Sequence, residues 1–534
     1  MGAEVGTAIN SKKNNLKSDF SKISYDALFN ENYFKINSKE NNLILNLELS
    51  YSKVKNPFTN VTEFFIGLLV KSKYDGEEIN ESIDISIALD ISNSMKSKIN
   101  TNSNSNNISK IELAKNALTK LVYNIKNEDN FSLITFNEKI NKLFPLSSKK
   151  ELINSLDLIK EIKCDGISKL ENGIDGAIEN LKESKNKNKR IIIISDMNYK
   201  ENNKLIEIYK KSVYEYNIPI TIIAISNECN IKLIHDLSIN KNCNYFIVYK
   251  NEDLEFYLVN IFKYICYPIA YDFFLEFESK NMIIEKCFGS GYDFLVKEEN
   301  APPIVMNNNN NNEINDKSFC KISSCFPSYL DIKNQNVYQR GGMILLKVKP
   351  KLNNDTPNGI INNISNYSKY DIQINLIYSG RENEKYFQNY QHSFNIENEN
   401  FDKFSDCNIE NVVSLYYFGF IIDKFISDDN NNKKDNIDYC TINNKNNIEN
   451  FINFHYKNLF TNNLKQEYLK LLDEIINNID LKQFSHQNIN FHYIPYSYFE
   501  NDIKKDTIIL KEGNENKEEA PSVIKKKNKK KIKK

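Results

Sequence analysis

Ile83-Asp84-Ile85-Ser86-Ile87-Ala88-Leu89-Asp90-Ile91-Ser92-Asn93-Ser94-Met95 is the stretch whose reading decides the fold. Its first half is apolar at Ile83, Ile85, Ile87, Ala88 and Leu89, as a buried strand is. It closes in Asp-x-Ser-x-Ser, formed by Asp90, Ser92 and Ser94. One carboxylate and two hydroxyls are thus presented together where a strand meets a loop. These are hard oxygen donors, suited to magnesium, calcium or manganese rather than zinc. The same residue types cap helices that follow a strand. The motif alone therefore supports a metal site and a cap equally.

Outward from this strand, over 82–266, strands and helices alternate. The strand at 83–90 precedes a helix at 110–125, apolar at Ile111, Leu113, Ala114, Ala117, Leu118, Leu121 and Val122. A strand at 131–137 follows, with a hairpin partner around 139–144. Ser148-Lys149-Lys150-Glu151 is a capping-box pattern, opening a helix with Leu152, Ile153, Leu156 and Ile159 on one face. A helix from Leu170 carries Ile174, Ala177, Ile178 and Leu181, and 191–196 is a short apolar run like a buried parallel strand. Helix 204–214, strand 218–225, helix 231–239, strand 245–249 and helix 252–266 complete the unit. Such alternation predicts an α/β, Rossmann-like fold: a mostly parallel sheet with helices on both faces. Ligands of such sheets sit beyond the carboxyl ends of the strands, where Asp90 and Asp196 both fall.

The flanks read differently. Leu43, Leu45, Leu47, Leu49 and Tyr51 alternate with Asn46, Glu48 and Ser50, a half-buried strand, and 64–71 is a second strand after Asn56-Pro57. Further strands are predicted at 273–277, 343–349 and 371–378, the last alternating Ile372, Ile374 and Leu376 with polar residues. With β segments on both sides, the α/β unit is expected to be inserted in, or flanked by, a β-sandwich. Residues 448–480 read as helical through Phe451, Phe454, Leu459, Leu464, Tyr468, Leu471, Leu472 and Ile475. The expected order is a disordered lead-in (1–40), flanking sandwich strands (41–81), the α/β domain (82–266) and a β-rich domain with Asn-rich insertions (267–425). A linker and helical region (426–500) and a disordered basic tail (501–534) complete it.

Bulk properties narrow the function classes. The 534 residues are enough for more than one domain, and 40% hydrophobic with 26% charged residues is a globular composition. Lys plus Arg and Asp plus Glu balance at 70 each, so no net field draws the chain to nucleic acid, and no specific nucleic-acid partner is expected. No stretch is apolar enough to span a bilayer, and residues 1–15 lack the apolar core of a secretory signal. The nine cysteines are then expected to be reduced thiols in the cytosol. Cys320 and Cys325 have no second pair or His cluster to complete a zinc site. The five histidines, His235, His392, His455, His486 and His492, are scattered. Asn runs at 307–312 and 428–434 read as disordered insertions.

Two further segments join Asp90-Ile91-Ser92-Asn93-Ser94. They are the loop-to-helix run Asp165-Gly166-Ile167-Ser168-Lys169-Leu170 and the strand end Ile194-Ser195-Asp196-Met197. Together, and in this order, they resemble the metal-ion-dependent adhesion site of von Willebrand factor A (VWA) domains, over roughly 83–266. The resemblance implies Asp90, Ser92, Ser94, Ser168 and Asp196 as metal ligands, with Mg2+, or Ca2+ or Mn2+, as the cofactor. It also implies an acidic side chain of a protein partner in the open coordination position. Three residues depart from the family pattern: Ser168 stands where Thr is usual, and Asn93 and Met197 stand where Gly is common. Ser168 keeps the hydroxyl but loses the methyl that fixes its rotamer. VWA domains embedded in a β-sandwich occur in intracellular and bacterial proteins, an analogy of fold that names no partner.

The function expected is a non-enzymatic, intracellular, divalent-cation-dependent interaction module that binds an acidic group of a protein partner. One alternative is a VWA scaffold with a degenerate metal site that binds through other surfaces. Another is a metal-dependent hydrolase or ubiquitin-ligase component. No general base, nucleophile, phosphate-binding glycine loop or Cys/His RING pattern accompanies that last reading. Met1-Gly2-Ala3-Glu4-Val5-Gly6-Thr7 approximates an N-myristoylation signal at Gly2, with Gly6 in the place of Ser or Thr; an ordinary Met-Gly start looks the same. The Lys-rich stretch 524–534 is a solvated tail, a polybasic membrane contact or a nuclear signal. A cytoplasmic protein is expected, with peripheral membrane contact through Gly2 and this tail as an option.

Overall fold

The computed structural model describes residues 25–36, 43–58, 61–77, 79, 81–99, 108–200, 202–226, 229–248, 251–290, 318–333, 336–350, 369–382, 384–395, 403–427, 451 and 472. The chain divides into Met1–Tyr468 and Leu469–Lys534, and every element below belongs to the first. Helix α1 (Tyr25–Glu31) and strand β1 (Tyr33–Lys35) lead into β2 (Leu45–Lys55) and β3 (Thr62–Ser72). The α/β unit follows with β4 (Asp84–Asp90), α2 (Lys110–Asn124), β5 (Asn130–Phe136), β6 (Ile140–Ser148), α3 (Lys149–Ile153) and α4 (Asp157–Lys160). It continues through α5 (Leu170–Leu181), β7 (Lys189–Ser195), α6 (Asn203–Lys210), β8 (Ile220–Ile225), α7 (Ile231–Ser238), β9 (Asn244–Val248), α8 (Asn251–Glu255) and α9 (Phe262–Cys266). Then come β10 (Ala270–Glu278), β11 (Met282–Phe288), β12 (Ser318–Cys325), β13 (Leu330–Lys333), β14 (Asn336–Arg340) and β15 (Met343–Pro350). Strands β16 (Lys369–Gly380), β17 (Lys385–Asn395) and β18 (Lys403–Phe404) precede α10 (Cys407–Ser427).

The α/β unit is a six-stranded sheet in the order β6-β5-β4-β7-β8-β9, parallel except for the hairpin strand β6. Both faces are buried, which explains the continuous apolar runs. Ile85, Ile87, Leu89, Ile192 and Ile194 pack on one face with Leu113, Ala117, Leu118 and Leu121 of α2. Ala88, Ile191, Ile193 and Ile222 pack on the other with Ile174, Ala177 and Ile178 of α5 and Leu205 of α6.

Two antiparallel sheets flank this unit: β11-β15-β3-β2-β18 and β12-β10-β16-β17. They face each other. Leu45, Leu47, Ile66, Leu68 and Leu346 share a core with Phe273, Leu275, Ile374 and Leu376. The backbone N–H groups of Leu45 and Leu47 donate across to the hydroxyls of Tyr378 and Tyr390, at 3.3 Å each. Because β2 and β3 precede the α/β unit and their partners β15 and β11 follow it, the unit is inserted in the sandwich.

At the amino ends of the inserted strands, Arg190 ties parts of the α/β unit to one another, and contacts to the sandwich lie beside it. Arg190, fully buried near the start of β7, donates to the carbonyls of Cys266 (2.9 Å) and Asn242 (3.0 Å) and to the Thr221 hydroxyl (2.9 Å). Its guanidinium lies over the Phe326 ring, 5.5 Å from the centroid, and no carboxylate among the described residues pairs with it. The Asn242 N–H donates to the Ser324 hydroxyl (2.7 Å), which donates back to Asn242 Oδ1 (2.9 Å). Arg381 grips Glu81 with two nitrogens, at 2.5 and 2.7 Å.

Three stretches depart from the sequence reading. The lead-in expected to be disordered over 1–40 contains α1 and β1. Leu28, Phe29 and Phe34 are fully buried, Tyr25 packs 4.8 Å from Phe288, and β1 pairs with β14. Tertiary partners far along the chain supply the order that local composition lacks. The single helix predicted after Ser148 has its capping box but breaks into α3 and α4, leaving Ile153 37% exposed. The Ser155 hydroxyl bonds back to the Glu151 carbonyl (3.2 Å), a contact that bends helices. The β-rich region expected over 267–425 ends in the helix α10, capped by Asp406, whose Oδ1 accepts from the N–H of Asn408 (2.8 Å) and Ile409 (3.0 Å). The helical reading of 448–480 lies, apart from 451 and 472, outside the described residues, as do both Asn runs. Among the described residues no helix is long and apolar enough to cross a membrane.

Replacing Arg190 with Met leaves the Cys266 and Asn242 carbonyls without their buried donor. Urea unfolding should show a loss of roughly 3 kcal/mol. A loss under about 1 kcal/mol would mean that these hydrogen bonds do not hold the amino ends of the inserted strands together.

Candidate functional site

Strand β4 lies at the middle of the parallel sheet, so the loops that follow β4 and β7, its neighbour, open at one edge. Asp90, its last residue, is fully buried. Its Oδ1 accepts from the Ser92 N–H (2.8 Å) and its Oδ2 from the hydroxyls of Ser168 (2.8 Å) and Ser195 (2.7 Å). One carboxylate therefore ties together the loop after β4, the loop before α5 and the end of β7. Ser92 and Ser94 stand with their hydroxyl oxygens 3.0 Å apart on the turn Asn93–Lys96, which Met95 anchors by its full burial.

Backbone contacts hold the two loops in register. Asn93 N–H donates to the Gly166 carbonyl (3.0 Å) and Asp165 N–H to the Ile91 carbonyl (2.7 Å). Gly166 has φ +72°, a backbone conformation that favours glycine at this turn.

Asp196, one residue beyond β7, is buried and accepts from the Asn198 N–H (3.3 Å) and from Lys110 Nζ (3.3 Å). No hydrogen bond joins it to the other four predicted residues among those described. Four of the five, Asp90, Ser92, Ser94 and Ser168, thus form one bonded cluster, and Asp196 is adjacent in sequence to the Ser195 that binds Asp90. Two contributors escaped the sequence reading. Ser195 was visible only as the residue before Asp196, and its hydroxyl both donates to Asp90 and accepts from the Met197 N–H (3.1 Å). Lys110 reaches Asp196 across 86 residues, and nothing local in the sequence marks that contact.

The electrostatics are unusual. Burial pushes the Asp90 carboxyl above its ordinary range, while hydrogen bonds from Ser195, Ser92 and Ser168 pull it down. Every donor that reaches it is neutral. Among the described residues no ion pair neutralises Asp90, and the nearby ammonium of Lys110 goes to Asp196 instead. Cys164 is pushed up to about 11, first by burial and then by the Asp90 charge, which keeps it a thiol. Carboxylate and hydroxyl oxygens are the donor set that hard cations take, and a buried carboxylate without a counter-charge fits such an ion. Among the described residues no three His, Cys, Asp or Glu side chains gather as a metal cluster, here or elsewhere, so the donors this site offers are mainly hydroxyls.

Residues 85–198 match the family model of the von Willebrand factor type A domain. The chain carries a VWA domain. The matched stretch runs from the second residue of β4 to two residues past Asp196 and includes all five predicted ligand positions. Among solved structures, the chain is similar to a von Willebrand factor type A protein from Catenulispora acidiphila, at 10% identity, covering 74% of this chain and 82% of that one (TM-score 0.43). It is similar to the ArnB paralog VWA2 from Sulfolobus acidocaldarius, at 14% identity, covering 81% and 98% (TM-score 0.35). It is also similar to BatB from Bacteroides thetaiotaomicron, at 18% identity, covering 33% and 95% (TM-score 0.28). A search of curated proteins finds no match.

Met197, at the VWA position where glycine is common, has φ +50° and a fully buried side chain. Its left-handed backbone costs about 1–2 kcal/mol, and truncating a buried Met costs about 2–5 kcal/mol. The packing outweighs the strain. Met197→Gly should therefore lower stability by roughly 1–3 kcal/mol in denaturant unfolding. A gain would show that the backbone strain dominates.

Proposed function

We propose that the VWA domain of this chain is a divalent-cation-dependent protein-interaction module. A Mg2+ ion, or Ca2+ or Mn2+, would be held by Asp90, Ser92, Ser94 and Ser168, with Asp196 on its outer side. The ion supplies a positive charge that a partner's acidic side chain can reach. The observation that carries this reading is the buried, uncompensated Asp90 carboxylate, placed among hydroxyls on three converging segments. The exposed residues next to these positions carry both charges. Lys96 and Lys169 are exposed close to Ser94 and Ser168, alongside the exposed carboxylates of Asp165 and Glu138, and Ile167, beside Ser168, is 69% exposed and offers an apolar contact. The role proposed is binding without catalysis, in the cytoplasm.

Mg2+ should raise the unfolding midpoint of the protein, contributing about 2.7 kcal/mol at 100 times its Kd. Asp90→Ala should remove that response, as should chelation. A response that survives Asp90→Ala would place the ion elsewhere. Partner capture that persists in chelator would favour the scaffold reading, in which other surfaces bind.

Gly2 and the Lys-rich stretch 524–534 lie outside the described residues. A myristoyl group on Gly2, with the basic stretch as a second signal, would give peripheral membrane contact, since one acyl chain alone binds only marginally. Mass spectrometry of the native N-terminal peptide should then show the acyl group on Gly2; an unmodified or acetylated peptide ends that part of the proposal.

A further inference from the structure

Lys110 is placed where a lysine is unfavourable. It is the first residue of α2, a 15-residue helix whose N-terminus carries partial positive charge. Its side chain is 10% exposed, so its ammonium has left most of its water. Neighbouring groups do little to offset this. Ser109 spends its side chain capping the Glu112 N–H (3.3 Å), and Glu112 pairs with Lys115 at 2.8 Å. Among the described residues the single partner of Lys110 Nζ is Asp196 Oδ2, at 3.3 Å, and that carboxylate is itself 5% exposed. A buried cation has therefore been set on one of the two carboxylates of the site while the other, Asp90, has none.

We infer that Lys110 is a built-in counter-charge that tunes the cation site: it weakens binding of the bare metal ion and strengthens the demand for an acidic ligand. The inference rests on the metal reading given above. Asp90, Asp196 and Lys110 together leave one net negative charge. A divalent ion turns that into one net positive charge, and a single carboxylate from a partner brings the assembly to neutrality. Without the lysine the two carboxylates would neutralise the ion alone, and the pull on an acidic ligand would fall. The incoming ion also meets Lys110 as a like charge in a site of low dielectric, where such repulsion is strong. The lysine thus shifts binding energy from the ion to the complex of ion and ligand. Its side chain is not a metal ligand; it acts through Asp196.

The test is titration of the purified full chain with Mn2+, reading the free-ion signal by electron paramagnetic resonance. Lys110→Met should bind Mn2+ about tenfold more tightly than the unaltered protein or better. Lys110→Gln should do the same, and Lys110→Arg, which keeps the charge, should stay within about twofold. Thermal unfolding by circular dichroism confirms that each variant is folded, and the Gln variant carries the test if the Met variant is not. Asp90→Ala should abolish binding in either background. If Lys110→Met and Lys110→Gln bind Mn2+ no more tightly than the unaltered protein, while Asp90→Ala still abolishes binding, the role of Lys110 is overturned and the site stands. If neither the unaltered protein nor the Lys110 variants bind Mn2+, the metal reading fails, and this inference with it.

Discussion

The structure around the site depends on one buried carboxylate. Asp90 closes the strand at the middle of the parallel sheet and is withdrawn from water completely. An ionised group in that position is stable only if its oxygens are hydrogen-bonded, and three donors from separate segments supply those bonds. The same requirement assembles the site. The loop after β4, the loop before α5 and the end of β7 meet because each brings a donor to Asp90. The fold makes this meeting available. Parallel strands place the loops that leave their carboxyl ends at the same edge of the sheet, and the central strand has neighbours on both sides.

The opposite edge of the sheet has another task. Arg190 lies near the beginning of β7 and Asp196 just past its end, so roughly 20 Å of strand separates the anchor from the site. At that edge Arg190 joins parts of the inserted unit with three buried hydrogen bonds, while the contacts to the sandwich are the exchange between Asn242 and Ser324, the Arg190 guanidinium over Phe326 and the bond from Arg381 to Asn188 (3.3 Å), with the more exposed Arg381–Glu81 pair beside them. Hence the inserted domain is fixed at one end by the sandwich and presents its loops at the other. The sandwich sheets close around the insertion without contributing a residue to the Asp90 cluster.

How much of this was legible in the sequence follows from what each residue needs. Strands buried on both faces show as apolar runs, so the order of β4, β5, β7 and β8 was readable, and with it the edge where Asp90 and Asp196 lie. Asp90, Ser92 and Ser94 were readable as one local motif at a strand end, whereas Ser168 entered through the resemblance to VWA domains. Lys110 was not, since its significance lies in a contact 86 residues away. The helix α10 was missed for a related reason. Val412, Val413, Leu415, Tyr416, Tyr417 and Phe418 are all buried, so the helix is apolar all round and shows no 3.6-residue periodicity. Its β-branched and aromatic residues also resemble a strand. Ile153 erred in the other direction: it fits a helical face in sequence, but the Ser155 back-bond breaks that helix before the face is complete.

The departures from the VWA pattern make sense once the geometry is assigned to Asp90 rather than to any one ligand. Threonine's methyl restricts its rotamer, and serine lacks it. Yet the Ser168 hydroxyl is already oriented by its 2.8 Å bond to Asp90 Oδ2. At the third segment, glycine would relieve the left-handed backbone that Met197 adopts. There the Ser195 hydroxyl, held by Asp90, accepts the Met197 N–H and fixes the turn, while the Met side chain fills the core below. In both places a hydrogen bond that ends on Asp90 does the orienting that residue identity does elsewhere in the family. Substitution at Ser168 then perturbs a single contact and substitution at Met197 the packing beneath it, whereas loss of the Asp90 carboxylate removes the acceptor that all three segments share. The oxygen cluster is therefore held together by one residue's burial and by the hydrogen bonds which that burial requires.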